Sequence, residues 1–128
     1  MDAESPQLLL VESHGDTRLL LERLLRGWGW DVVAAAGGRA ALREVCRRDV
    51  VVAVVDTALS DIDLPAFVRR FRCRTCAPII ATTTAVSNVL DRYRAMPFQQ
   101  VLLKPYTLDE LRDALTFAVA ERRACACA

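Results

Sequence analysis

Short apolar runs alternate with amphipathic stretches along the whole chain. Gln7–Val11, Val32–Ala36, Val50–Val55, Pro78–Thr82 and Gln100–Leu103 are brief and mostly apolar, Val50–Val55 being also rich in β-branched residues, and each predicts a buried strand. Between them the apolar positions switch to helical spacing. Thr17–Arg26 sets Leu20, Leu24 and Leu25 on one face, and Arg39–Arg48 does the same with Ala41, Leu42 and Val45. A third helix runs from Asp63 to about Cys73, a fourth over Val86–Arg94. The fifth follows Thr107 with a stripe of Leu108, Leu111, Leu115, Ala118 and Val119. Asp16, Asp63 and Thr107 are the expected N-caps, with Pro65 in the first turn after Asp63. Gly27 stops the first helix and Gly37-Gly38 breaks the chain after the second strand. Residues 57–63 read as a polar loop, residues 1–6 as a frayed start and residues 124–128 as a low-complexity, flexible tail, leaving one domain over residues 1–123.

Five βα units with no linker and no repeat imply an α/β domain, a parallel sheet wound on both faces by helices. Val50–Val55, with five valines, is its central strand, buried on both sides. Ligand sites in such sheets lie beyond the carboxyl ends of the strands. The positions to inspect are therefore Glu12 and Ser13, Asp56, Thr82 to Thr84, and Lys104.

A chain of 128 residues and 14.2 kDa suits one domain, and 53% hydrophobic residues argue against disorder. No apolar run approaches the ~20 residues that span a bilayer, and no signal-peptide pattern opens the sequence. The expectation is a cytoplasmic protein that binds no membrane. A formal charge of +1 leaves no broad electrostatic footprint for nucleic acid. Five cysteines, including Cys73 and Cys76 at C-x-x-C spacing, lack the second half of a zinc site and read as reduced thiols. The basic residues are sixteen arginines and a single lysine, Lys104. In such a background a lone lysine points to a demand for a compact ammonium.

Asp56 ends an apolar strand, where a carboxylate is either desolvated or paired. A carboxylate there can act as a nucleophile and accept a phosphoryl group. The incoming charge needs cations and donors: Lys104 supplies an ammonium, a hydroxyl among Thr82–Thr84 a donor, and Glu12 a carboxylate for Mg²⁺. Each polar strand end alone is unremarkable, but a complementary set of four is not.

These residues carry a family resemblance. Leu8–Glu12 with Asp16-Thr17-Arg18, Ala36–Leu42, Val54-Val55-Asp56, Pro78–Thr83 and Lys104-Pro105-Tyr106-Thr107 resemble the response-regulator receiver domain of two-component signalling, over residues 7–121. The resemblance implies a flavodoxin-like fold with strand order 2-1-3-4-5. It makes Asp56 the phosphoacceptor and Lys104 the contact to phosphoryl oxygens, with a cis peptide at Lys104–Pro105. The switch hydroxyl falls on Thr83, with Thr84 one residue away. Mg²⁺ would be held weakly by Glu12, Asp56, the Ala58 carbonyl and Ser13. The chain departs from the pattern in three ways. Glu12-Ser13 replaces a pair of acids, Val101 stands where an aromatic is usual, and Ser60 and Leu64 replace a proline and a glycine. Asp61 and Asp63 read as solvated or helix-capping, His14 as a solvent-exposed loop residue, and Trp28 and Trp30 as covers for the core edge.

The implied function is a bacterial phosphorelay switch rather than an enzyme. A histidine kinase or phosphotransfer protein would phosphorylate Asp56. The changed surface of the fourth helix, fifth strand and fifth helix would then engage an effector or a second copy. The alternative is a pseudo-receiver, an interaction module independent of phosphorylation. A phosphatase or transferase using Asp56 lacks a second catalytic acid.

Overall fold

The computed structural model describes residues 5–126, with side chains through residue 121. Five strands, β1 (Gln7–Val11), β2 (Asp31–Ala35), β3 (Val50–Asp56), β4 (Ile79–Thr83) and β5 (Gln100–Leu103), alternate with five helices. The helices are α1 (Gly15–Gly27), α2 (Gly38–Val45), α3 (Leu64–Arg72), α4 (Ser87–Arg94) and α5 (Leu108–Ala126). All strand pairs are parallel and the order is β2-β1-β3-β4-β5. The doubly wound sheet of the sequence reading is therefore present, with every strand end within a residue or so of expectation.

Side-chain alternation splits the core in two. Leu9, Val11, Ala53, Val55 and Ile79 face α2 and α3 with Ala41, Val45, Phe67 and Phe71. Leu8, Leu10, Val52, Val54, Ile80 and Leu102 face α1 and α5 with Leu21, Leu25, Leu111 and Leu115. One irregularity sets this partition. Gln7 pairs with Val50 but Leu8 pairs with Val52, so Val51 is an extra residue, a β-bulge. The bulge puts Val50 and Val52 on opposite faces. Beyond it, the even-numbered residues of β1, β3, β4 and β5 share the α1/α5 face. Glu12, Asp56, Thr82 and Lys104 continue that parity at the carboxyl edge.

The caps correct the sequence reading in three places. His14, not Asp16, caps α1: its Nδ1 accepts from the Thr17 amide at 3.3 Å and lies 2.9 Å from Thr17 Oγ1. Asp16 sits in the first helical turn, where a carboxylate still favours the helix dipole. Gly38 is the first residue of α2 rather than a break, and α2 ends at Val45, short of Arg48. The N-cap of α2, Gly37, has no side chain, and Asp61 substitutes from the β3–α3 loop. Asp61 Oδ1 accepts from the Gly38 amide and Oδ2 from the Arg39 amide, each at 3.0 Å. Asp63 caps α3 as expected, accepting from the Ala66 amide at 2.7 Å. Thr107 and Glu110 form a reciprocal capping box at the start of α5. That helix continues to Ala126, so residues 124–126 extend it instead of forming a tail, and residues 127–128 lie outside the described residues.

Helix α4 is the least anchored. Its N-cap, Val86, makes no side-chain bond, Ser87 has a φ of 56°, and Leu90 is its one buried residue. At the amino-terminal edge of the sheet Trp28 and Trp30 pack against the α1/α5 core, with the Arg112 guanidinium 4.8 Å from the Trp28 ring. They flank a hollow of about 730 Å³ at the end of the sheet away from Asp56. Cys46, Cys73 and Cys76 are free and exposed.

Gly38 is where the β3–α3 loop meets α2 most closely. A Cβ there would stand 2.4 Å from Ile62 Cγ2. Ala favours a helix over Gly by about 1 kcal/mol, whereas overpacking costs about 1–3 kcal/mol. Gly38→Ala is therefore expected to be net destabilising, by up to ~2 kcal/mol, measured as a lower urea midpoint at unchanged m-value.

Candidate functional site

Asp56 is the last residue of β3 and remains 8% exposed. Burial of this kind requires partners for both oxygens. Oδ1 accepts from the Ala58 amide at 2.8 Å, and Oδ2 accepts from Lys104 Nζ at 2.7 Å. The same ammonium lies 3.5 Å from Oε1 of Glu12, itself 4% exposed. Register explains the convergence: Val11 pairs with Val55, Asp56 with Thr82 and Thr83 with Leu103, so four strands end at one level. The Lys104 amide donates to the Thr83 carbonyl at 2.8 Å, and the following Lys104–Pro105 peptide is cis, as expected.

Burial alone would lower the Lys104 pKa. The hydrogen bond and charge of Asp56, joined by Glu12, outweigh it and hold the ammonium above its ordinary value. Tyr106, packed against the same core, has its phenol raised by burial, with Lys104 opposing and Glu12 and Asp56 adding to the rise. Glu12 is fixed from the other side by the His14 amide, which donates to Oε2 at 3.1 Å. Arg18 Nη1 donates to the Glu12 carbonyl at 2.9 Å and to that of Ser13 at 3.4 Å, pinning the β1–α1 loop.

Three of the expected residues, Glu12, Asp56 and Lys104, thus meet, and Ala58 meets them through its amide. Ser13 is exposed, and its carbonyl faces Arg18. Thr83 is 1% exposed and on the opposite side-chain parity from Asp56. Its Oγ1 accepts from Thr57 Oγ1 at 2.8 Å and from the Ala85 amide at 2.9 Å. Thr84 is exposed. Thr57 went unnoticed in the sequence, counted in a polar loop. The signal that could have found it is its position, one residue past a buried strand end and so on the opposite face from Asp56. Val101, in the place of an aromatic, is half-buried beside Ala81. Among the described residues no group of three or more His, Cys, Asp or Glu forms a metal cluster. The donors that do converge, two buried carboxylates, are hard oxygen ligands of the kind Mg²⁺ takes.

A parallel 2-1-3-4-5 sheet with an acid, a lysine and a second acid at its carboxyl edge defines a receiver-type α/β domain. The response regulator receiver domain profile matches residues 8–116, and the chain belongs to that family. It is 29% identical over 122 residues to the transcriptional regulatory protein ZraR of Escherichia coli O157:H7, covering 94% of this chain and 28% of that protein. It is 29% identical over 115 residues to the sensor protein EvgS of the same organism, covering 88% of this chain and 10% of EvgS. The chain thus spans about a quarter or less of these curated relatives. Among solved structures, a CheY-like receiver domain protein from Methanospirillum hungatei JF-1 superposes with a TM-score of 0.84 at 16% identity, covering 93% of this chain and 97% of that one. The response regulator TrrA from Thermotoga maritima, in complex with Mg²⁺-BeF, superposes with a TM-score of 0.78 at 20% identity, covering 88% and 98%. Receiver domains are in general signalling switches of two-component systems. Among the described residues no helix is long and apolar enough to cross a membrane.

The Thr57–Thr83 pair yields a graded test. Thr57→Val keeps shape and removes one donor, while Thr83 still accepts from Ala85; the expected cost is ~1 kcal/mol. Thr83→Val orphans the Ala85 amide as well and is expected to cost more, about 1–3 kcal/mol. Urea unfolding of the two variants checks the order.

Proposed function

We propose that the chain is a cytoplasmic phosphorelay switch in which Asp56 accepts a phosphoryl group from a histidine kinase or phosphotransfer protein. The observation that carries this reading is the 2.7 Å contact of Lys104 with Asp56, with Glu12 against the same ammonium. In the transfer, an oxygen of Asp56 forms the new O–P bond as the N–P bond of the donor's phosphohistidine breaks. The electron pair of that bond leaves with the imidazole. Lys104 already faces Oδ2 and follows the charge as it spreads onto the phosphoryl oxygens. The Ala58 amide keeps the other oxygen in place. Thr83 accepts from Thr57, so its own proton is available, but its side chain lies on the opposite parity from Asp56; turning to donate to a phosphoryl group would break this buried hydrogen bond on the far face of β4. The loss is offset by a charge-assisted bond of roughly twice the strength.

Glu12, Asp56 and the Ala58 carbonyl are the groups that would hold Mg²⁺, with Ser13 as a weak neutral neighbour. The ion, when bound, neutralises charge as the phosphoryl group arrives. The surface of α4, β5 and α5 carries exposed Val86, Leu103 and Leu108 and suits an effector or a second copy. Neutral Ser13 also favours a second reading, a pseudo-receiver that binds partners without phosphorylation. Mg²⁺ titration with and without beryllofluoride, followed by the amide resonances of residues 56–62, separates the two. Tryptophan fluorescence is the poorer probe, because Trp28 and Trp30 sit at the opposite edge of the sheet.

Asp56→Asn is expected to abolish labelling by acetyl phosphate while the fold persists; persistent labelling at a comparable rate moves the acceptor elsewhere. Ser13→Asp adds a carboxylate, and Mg²⁺ should bind about tenfold more tightly, equivalent to ~1.4 kcal/mol. The same variant should melt at a lower temperature in chelator, since a third carboxylate adds repulsion to the metal-free site. Unchanged Mg²⁺ affinity shows that position 13 does not face the ion.

A further inference from the structure

The Asp61 carboxylate is engaged at long range in sequence. It accepts from two consecutive amides at the start of α2, those of Gly38 and Arg39, both at 3.0 Å. Arg39 returns the contact, its Nε donating to the Asp61 carbonyl at 3.0 Å. The seam has no slack: a Cβ on Gly37 would stand 2.9 Å from Asp61 Oδ2, and one on Gly38 would strike Ile62. Three hydrogen bonds and two glycine contacts thus fasten residues 61–62 to α2. The other end of this short loop is Asp56 itself, and the residue between that matters is Ala58, whose amide fixes Asp56 Oδ1 at 2.8 Å. The Arg39 and Gly38 amides hold the Asp61 carboxyl below its ordinary pKa. Its bonds are therefore complete above the unfolded-state value of about 4 and are lost as the pH falls through the lower folded value.

We propose that Asp61 is a positioning residue for phosphoryl transfer to Asp56: by clamping the β3–α3 loop to the N-terminus of α2, it holds the Ala58 amide that orients the Asp56 carboxylate. The proposal rests on Asp56 being the phosphoacceptor. A receiver needs this loop still because two functions pass through residue 58, an amide aimed at the nucleophile and a carbonyl offered to the metal. The loop lacks the proline and glycine that the resemblance expects, having Ser60 and Leu64 in their places. Its backbone is less restricted by its own sequence, and the clamp supplies the restraint from outside.

The test is the rate of Asp56 labelling by acetyl phosphate at saturating Mg²⁺, normalised to folded protein, in Asp61→Ala, Asp61→Asn and Val45→Ala. Val45 is buried in α2 away from the clamp, so Val45→Ala lowers stability without touching it. Asp61→Ala is expected to label about tenfold more slowly, less than the roughly hundredfold cost of a full ångström of misplacement. Asp61→Asn keeps one acceptor oxygen and should fall between Asp61→Ala and the unaltered chain; it also serves if Asp61→Ala does not fold. Val45→Ala should label at the unaltered rate. Hydrogen exchange of the Ala58 amide should quicken in the same order. Labelling of both Asp61 variants at the unaltered rate overturns the proposal. So does equal slowing of both that disappears in high salt, which would mark a field effect of the lost charge. If the unaltered chain itself takes no label, the phosphoacceptor reading fails first and the clamp's role falls with it.

Discussion

Two carboxylates sit at the mouth of an apolar sheet, and one ammonium makes their burial tolerable. Glu12 and Asp56 are 4% and 8% exposed, and Lys104 Nζ is within 3.5 Å of both. Orphaning a buried charge by deleting its partner costs roughly 3–5 kcal/mol in general, and solvent reaching a quarter of the lysine side chain weakens the penalty here. The remaining oxygens are taken by the amides of His14 and Ala58, so both acids are oriented, and the single ammonium leaves one net negative charge at the site. A guanidinium would bring a planar fork to a place that needs a point charge shared between two acids. This gives a physical reason for one lysine among sixteen arginines.

The sheet delivers these groups through register and parity. Parallel pairing ends β1, β3, β4 and β5 at a common edge, and the Val51 bulge follows the first β1–β3 pair, leaving uninterrupted alternation from Val52 up to Asp56. Alternation then separates two jobs. The even positions 12, 56 and 104 gather charge on the α1/α5 side. The odd positions 57 and 83 share a buried hydroxyl pair on the other. On the proposed reading, a change of charge at Asp56 has to reach the other face of the sheet, where Thr83 lies.

Much of this was legible in the sequence, for reasons that also explain the exceptions. Apolar blocks such as Val50–Val55 reveal strands because burial on both faces leaves no polar positions. The caps at Asp63 and Thr107 could be read because their partners lie three residues on. The α1 cap was misplaced because His14 accepts through a ring nitrogen, whereas Asp16 has the commoner capping side chain. The role of Asp61 was hidden because its partners lie more than twenty residues earlier in the chain. The bulge was invisible because neighbouring valines look alike whichever way they face. Lys104 and Asp56 stood out because each breaks an apolar run, whereas Thr57 followed the break and was absorbed into the loop.

Helix α4 begins four residues after Thr83, the end of β4, with no side-chain cap, a positive-φ residue in its first turn and one buried anchor. Few contacts need be lost to displace such a segment, so its local opening free energy lies near the bottom of the range a folded domain spans. A two-state element with a gap of only a few kcal/mol is redistributed by an input of similar size. The charge-assisted hydrogen bond proposed for Thr83 would have that magnitude, whereas the α1/α5 core, with thirteen buried residues, is too heavily packed to yield to it. The fold is thus stiff where it holds charge and compliant at α4, and the asymmetry follows from how many apolar side chains each helix was given to bury.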